Sequence, residues 1–217
     1  MSDYAVARRN MIESQLKPNR VTDERLIAVM AALPREIFVA AGLKGVAYVD
    51  EEVPVAPGRY LMEPAIFARM VQEAKIGSKD VVLEIGCGAG YSTAVLARLA
   101  ASVIAVESDA SLARLATQNL AAAGIDNAAV IDGALADGYA RQAPYQVVFV
   151  SGAVAKVPAR LLDQVAEGGR LIAVERGANR SQAVLYSRSG GLVGHRALFD
   201  ANVPIVPGFE SASGFVF

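Results

Sequence analysis

The chain has 217 residues, with 21 basic and 22 acidic side chains and a formal net charge of −1. That is enough for one large α/β domain or a domain with an extension, and it excludes a broad basic footprint for nucleic acid. One cysteine rules out an internal disulfide, and one cysteine with one histidine argues against a Cys/His metal site, so no metal is expected. Apolar stretches are broken by Pro34, Arg98 or Glu107 well short of the roughly 20 residues of a membrane span. The opening MSDYAVARRN lacks the apolar segment of a secretory signal, so the expectation is a cytoplasmic protein without a membrane partner.

In chain order, residues 3–16 carry Val6, Met11, Ile12 and Leu16 at near-helical spacing, ended by Lys17-Pro18-Asn19. Thr22 or Asp23 caps a second helix with Leu26, Ile27, Val29 and Met30 on its buried side. From Val39 to Tyr60 there is no clear period, and prolines and a glycine mark an extended connection. Pro64 suits the first turn of a third helix, 64–75. From residue 80 apolar runs begin near 81, 102, 128, 147 and 171, separated by helical stretches at 91–100, 110–123, 134–141 and 156–166. That rhythm predicts strand–helix repetition with a parallel sheet and right-handed crossovers. Gly168 and Gly169 are expected to separate the last helix from its strand. Residues 182–188 and 193–199 alternate, and Ser189-Gly190-Gly191 between them suggests an antiparallel pair at the sheet edge. The division expected is a helical extension ending in a loop-rich stretch over 1–79 and an α/β core over 80–217.

The chemistry centres on VVLEIGCGAGY, residues 81–91. A short apolar strand runs into Gly86, Cys87, Gly88, Ala89 and Gly90, and a helix follows at once. Such a turn gathers backbone N–H groups and the positive end of a helix dipole at one point, with small residues that admit a ligand. A dinucleotide fingerprint G-x-G-x-x-G fails, because Tyr91 stands where the third glycine belongs. Instead Glu84 precedes glycines at 86, 88 and 90, and Glu107 closes the next strand 21 residues after Gly86, near the offset at which a carboxylate meets ribose hydroxyls. The E-x-G-x-G-x-G pattern resembles the first motif of class I S-adenosylmethionine-dependent methyltransferases. An ordinary strand-to-helix turn would need neither carboxylate.

A narrower resemblance covers nearly the whole chain. MIESQL (11–16), VTDERLIAVMAALPREIFV (21–39), AYVDEEVPV (47–55), VIDGALADGY (130–139), the stretch 143–174 and ALFDANVPIVPG (197–208) are similar, in order and spacing, to protein-L-isoaspartate O-methyltransferases. The resemblance implies a doubly wound, mostly parallel seven-stranded Rossmann-like sheet with an antiparallel edge and an N-terminal helical extension. It implies methyl transfer from S-adenosyl-L-methionine, leaving S-adenosyl-L-homocysteine, to the free carboxylate of isoaspartyl residues in damaged peptides or proteins. The cofactor set it implies is Glu84, Gly86, Cys87, Gly88, Gly90, Glu107, Ser108, Asp132 and Gly133. The acceptor set is Arg59, Tyr60, Leu61, Ser151, Gly152 and Ala153, with Met62 at the position of the family's catalytic serine. The family's loop reads like G-Q-T-I-S-x-P, whereas this chain has Gly58-Arg59-Tyr60-Leu61-Met62-Glu63-Pro64. The fourth-strand segment begins Tyr145-Gln146 where the family has Tyr-Asp, and ends Ser151-Gly152-Ala153 where it has Thr-Ala-Ala. Arg59 is a candidate to supply a missing cation and Ser151 a missing donor. Two other readings stay open: a methyltransferase diverged to another acceptor, and a non-catalytic cofactor-binding protein.

Overall fold

The structure is a computed structural model and describes residues 4–210. α1 (Tyr4–Met11) passes into a wider turn over Ile12–Leu16. Asp23 caps α2 (Glu24–Ala32), its carboxylate accepting from the N–H groups of Arg25 and Leu26. The stretch expected to be merely extended contains 3-10 turns at Arg35–Phe38 and Ala41–Val46. It also forms a small hairpin, β1 (Val53–Ala56) with β2 (Arg59–Leu61). Strands of three or four residues, one containing Pro54, are too short to produce a visible alternation. α3 (Pro64–Ala74) starts on its proline and ends at Lys75 in the left-handed conformation.

The sheet follows: β3 (Val81–Ile85), α4 (Tyr91–Leu99), β4 (Ser102–Glu107), α5 (Ala110–Ala122), β5 (Ala128–Asp132), β6 (Tyr145–Val154), α6 (Ala159–Leu162), β7 (Val165–Arg176), β8 (Ser181–Ser189) and β9 (Leu192–Asp200). Strand order is β5-β4-β3-β6-β7-β8-β9. The first five are parallel, β8 is antiparallel to β7, and β9 is antiparallel to β8. The predicted helix 156–166 shrinks to α6, and the predicted helix near 134–141 becomes two 3-10 turns, Leu135–Asp137 and Ala140–Gln142. Gly168 and Gly169 lie inside β7 rather than before it. A Cβ on Gly169 would stand 2.8 Å from the Ala166 carbonyl oxygen and 3.0 Å from that of Gln146, so only glycine lets the strand press this close to its neighbour.

β3 shows why the sheet is buried on both faces. Val82 enters an apolar cluster with Met30, Phe38, Phe67, Val95 and Phe149, so the N-terminal helices and the sheet share one packing face. Leu83 and Ile85 enter a second cluster with Leu135, Val148, Leu161 and Leu171. No described helix is long and apolar enough to cross a membrane. The connections from β3 lead one way to β4 and β5 while β6 lies on the other side, so strand order reverses at β3. Ligands of such sheets sit beyond the carboxyl ends of the strands at that reversal.

Candidate active site

Three glycines shape the cleft at the end of β3. Gly86, Gly88 and Gly90 have φ of +80°, +56° and +95°. Gly90 also lies against α5, where a Cβ would stand 3.3 Å from the Ala116 backbone, so this glycine answers to helix packing as well as to the turn. Above Gly86 a Cβ would meet Val206 Cγ1 at 3.1 Å and Arg59 Nη2 at 3.3 Å. The guanidinium of Arg59 therefore lies across the first glycine of the turn.

Glu107, at the end of β4, is fully buried. Its Oε1 accepts from the N–H groups of Ser108 at 2.8 Å and Asp109 at 3.1 Å. Its Oε2 accepts from the Gly88 N–H at 2.8 Å and from Arg59 Nη2 at 2.5 Å. A carboxylate stripped of water and fixed by three backbone donors fits a ligand offering a hydroxyl pair. In the register of β4 with β5, Asp132 stands beside Glu107 at the strand ends. It is exposed, and the following Gly133 donates its N–H to the Glu107 carbonyl at 3.0 Å.

Glu84 has a different environment. It too is fully buried, but its Oε2 accepts from Thr93 Oγ1 and its Oε1 from Ser151 Oγ, each at 2.6 Å. Burial raises its pKa, and the hydroxyls of Ser151, Ser92 and Thr93 pull it part of the way back. Both oxygens are thus used within the chain, and Glu84 braces the start of α4 to the end of β6. Cys87 lines the cleft with its thiol pKa pushed well up, chiefly by burial, so it is no nucleophile.

Ser151 and Gly152 enter the cleft through a bulge. Phe149 pairs with Ile172 and Ala153 with Val174, so β6 takes more residues than β7 between the same two points. Gly152 makes room for Val206, whose Cγ2 lies 2.4 Å from where a Cβ would be. The segment 204–206 is fastened there by Ala153 N–H to Pro204 O at 2.9 Å and Val206 N–H to Ala153 O at 2.8 Å. Ala153, expected among the acceptor residues, is fully buried and used up in these bonds; it lines neither cavity.

Two cavities meet here. One, with about 360 Å³ of empty space, is lined by Gly86–Ala89, Arg35, Tyr91 and Ser92 together with Tyr60, Leu61, Met62 and Ser151. The second, about 300 Å³, is lined by Arg59, Tyr60, Met62, Ser151, Gly152 and residues 203–206, with Glu52 at its edge. Met62 is shared by both, so the position expected to carry a serine faces the junction with a thioether. The O–H of Ser151 is spent on Glu84, so the donor role expected of it is already taken.

Arg35 is a site residue that sequence reasoning passed over. It is fully buried and has no carboxylate partner among the described residues. Its Nε donates to Ala47 O at 2.6 Å, its Nη2 to Met62 O at 2.7 Å, and its Cζ lies 4.8 Å from the Tyr91 ring centroid. The only sequence signal was a charge inside the apolar stretch LPREIFV.

A mostly parallel sheet with a reversal at β3, a glycine turn beyond it and a buried carboxylate at the next strand end are the features of a class I S-adenosylmethionine-dependent methyltransferase. Comparison with known proteins narrows this. Residues 7–207 match the family described as protein-L-isoaspartate(D-aspartate) O-methyltransferase (PCMT). A relative from Koribacter versatilis, named protein-L-isoaspartate O-methyltransferase, is 42% identical over 172 residues, 79% of this chain and 78% of that one. A solved protein-L-isoaspartate O-methyltransferase superposes with TM-score 0.82 at 25% identity, over 93% of this chain and 66% of that longer one. A candidate member from Plasmodium falciparum, solved with S-adenosyl-L-homocysteine, shares the fold at TM-score 0.79 and 17% identity, covering 94% and 98% of the two chains. This chain belongs to the protein-L-isoaspartate(D-aspartate) O-methyltransferase family. Among the described residues no group of histidine, cysteine and carboxylate side chains could hold a metal.

Proposed function

We propose that this chain methylates the free α-carboxylate of isoaspartyl residues in damaged proteins, in the cytoplasm, with S-adenosylmethionine as donor. The observation that carries this reading is a cleft with a buried cation in its lining and no histidine to act as base. Arg35, buried and without a counter-charge among the described residues, lines the cavity beside the glycine turn, and no histidine lines either cavity. A carboxylate acceptor has a reference pKa of about 4 and is ionised at neutral pH, so no proton has to be removed before it attacks. A neutral amine or hydroxyl acceptor would need that base.

The cofactor supplies an electrophilic methyl on a sulfonium, and displacement requires only a carboxylate oxygen held in line with it. The chain's residues do the holding. Glu107 and its backbone donors suit a ribose diol, and the open backbone at Gly86 and Gly88 suits the rest of the thioether nucleoside. Glu84 keeps Ser151 and the bulge of β6 in position, and Arg35 fixes Met62 through its carbonyl. Apolar walls from Leu61, Met62 and Phe67 keep water away from the reacting atoms. Incubation with labelled S-adenosylmethionine and an isoaspartyl peptide is expected to give a base-labile methyl ester. A yield no higher than that from the normal aspartyl peptide would remove the reading. A second reading, a methyltransferase diverged to another acceptor, is favoured by Met62 and Tyr60, and the same assay separates the two.

A further inference from the structure

Arg59 belongs to both halves of the cleft at once. Its Nη2 holds Glu107 Oε2 at 2.5 Å, and with the N–H groups of Gly88, Ser108 and Asp109 that carboxylate has four donors. Four is about its capacity. A diol has no free lone pair to dock on while Arg59 stays. The guanidinium also covers the backbone at Gly86, where a nucleoside has to approach. Its Nη1, meanwhile, is buried without a hydrogen-bond partner, and Arg59 lines the second cavity beside Met62 and Ser151. A buried cation with an unmet donor is poorly satisfied where it lies. In that cavity Met62, Val203, Pro204, Ile205 and Val206 have no side-chain donor, the O–H of Ser151 is committed to Glu84, and Tyr60 offers only a single neutral O–H. Arg59 is the one cation among the lining residues.

We propose that Arg59 is the acceptor-carboxylate receptor and that it is released to that task by the cofactor. Without cofactor it pairs with Glu107. A ribose hydroxyl takes its place there, and the freed guanidinium pairs with the α-carboxylate of the isoaspartyl residue. This rests on the reading given under Proposed function. It follows that the two ligands bind with positive coupling and that acceptor binding waits for cofactor. A two-pronged guanidinium thereby takes over the positioning that a serine at 62 would have given.

Calorimetry on the full chain tests this with S-adenosylhomocysteine, which cannot transfer a methyl, and an isoaspartyl peptide. The peptide is expected to bind the S-adenosylhomocysteine-loaded protein about tenfold or more tighter than the cofactor-free protein, a typical coupling. Arg59→Gln is expected to bind S-adenosylhomocysteine several-fold tighter than wild type, since nothing competes for Glu107, and to lose the peptide coupling. Arg59→Lys keeps the charge and is expected to keep part of the coupling; thermal melting confirms that both variants fold. Equal peptide affinity with and without S-adenosylhomocysteine overturns the release of Arg59 to the acceptor. Equal S-adenosylhomocysteine affinity in wild type and Arg59→Gln overturns its competition for Glu107. If the peptide binds no form while Arg59→Gln still tightens S-adenosylhomocysteine, the isoaspartyl reading fails and the competition at Glu107 stands.

Discussion

The wall of the cleft proposed to face the cofactor is built mostly from backbone: three left-handed glycines and the N–H groups of Gly88, Ser108 and Asp109 around one carboxylate. The opposite wall is built from side chains on short, loosely regular segments, namely Arg59 to Leu61 of the hairpin, Met62 just after it and the bulged end of β6. Backbone constraints tolerate few sequences, so the first wall keeps the family's pattern. Side chains on a loop are interchangeable as long as the loop holds its shape, and the second wall carries the departures: Arg59, Tyr60, Met62 and Gly152.

The largest effect is expected on the cofactor wall. Glu107→Ala leaves the buried Arg59 without its counter-charge, which costs about 3–5 kcal/mol by analogy with other broken buried pairs. S-adenosylhomocysteine titration should show binding lost, and denaturant unfolding should show the destabilisation. Next comes Gly152→Ala, whose methyl collides with Val206; overpacking of this kind costs roughly 1–3 kcal/mol. Adding Val206→Ala should recover part of that loss, the strain at φ +154° remaining, and a double-mutant melting cycle measures the coupling. A smaller effect is expected from Met62→Ser. If Arg59 carries the acceptor carboxylate, kcat/KM on an isoaspartyl peptide should stay within about threefold of wild type. A donor bonded to a charged group contributes about 1.5–3 kcal/mol, so a ten- to hundredfold gain would mean that the acceptor wall has no substitute.

The smallest effect concerns Glu63, just before α3. Burial first, then Asp50 and Glu52, push its pKa up to about 7. The folded protein then holds a proton that the unfolded chain has already lost, so stability falls as pH rises from about 4.5 to about 7. Glu63→Gln should be more stable than wild type above pH 7, the difference vanishing below the ordinary carboxylate range. Melting temperatures across that range check the sign.

The cofactor wall was legible because its signals are local. Glu84, the glycines and the strand rhythm fall within a few residues of one another, and Glu107 sits at a fixed offset on the next strand. The acceptor wall depends on contacts across the fold. Arg59 meets Glu107 across 48 positions and Arg35 meets Met62 across 27, and no periodicity encodes such pairings. The hairpin that carries Arg59 was missed because its strands are very short. The glycines within β7 looked like punctuation, although their reason is close contact between strands. The sequence pattern marks Glu84 as a ligand group, and only the folded arrangement reveals that its oxygens serve Thr93 and Ser151.

Arg35 grips two carbonyls on separate segments, Ala47 and Met62, from beneath the hairpin. The clamp acts on main-chain atoms and is indifferent to what residues 59–62 project above it. Natural drift or a combinatorial library can therefore vary Tyr60, Leu61 and Met62 without rebuilding their foundation. The same logic makes Arg35 the worst place in the loop's support to economise, since a shorter side chain there would unseat every variant alike.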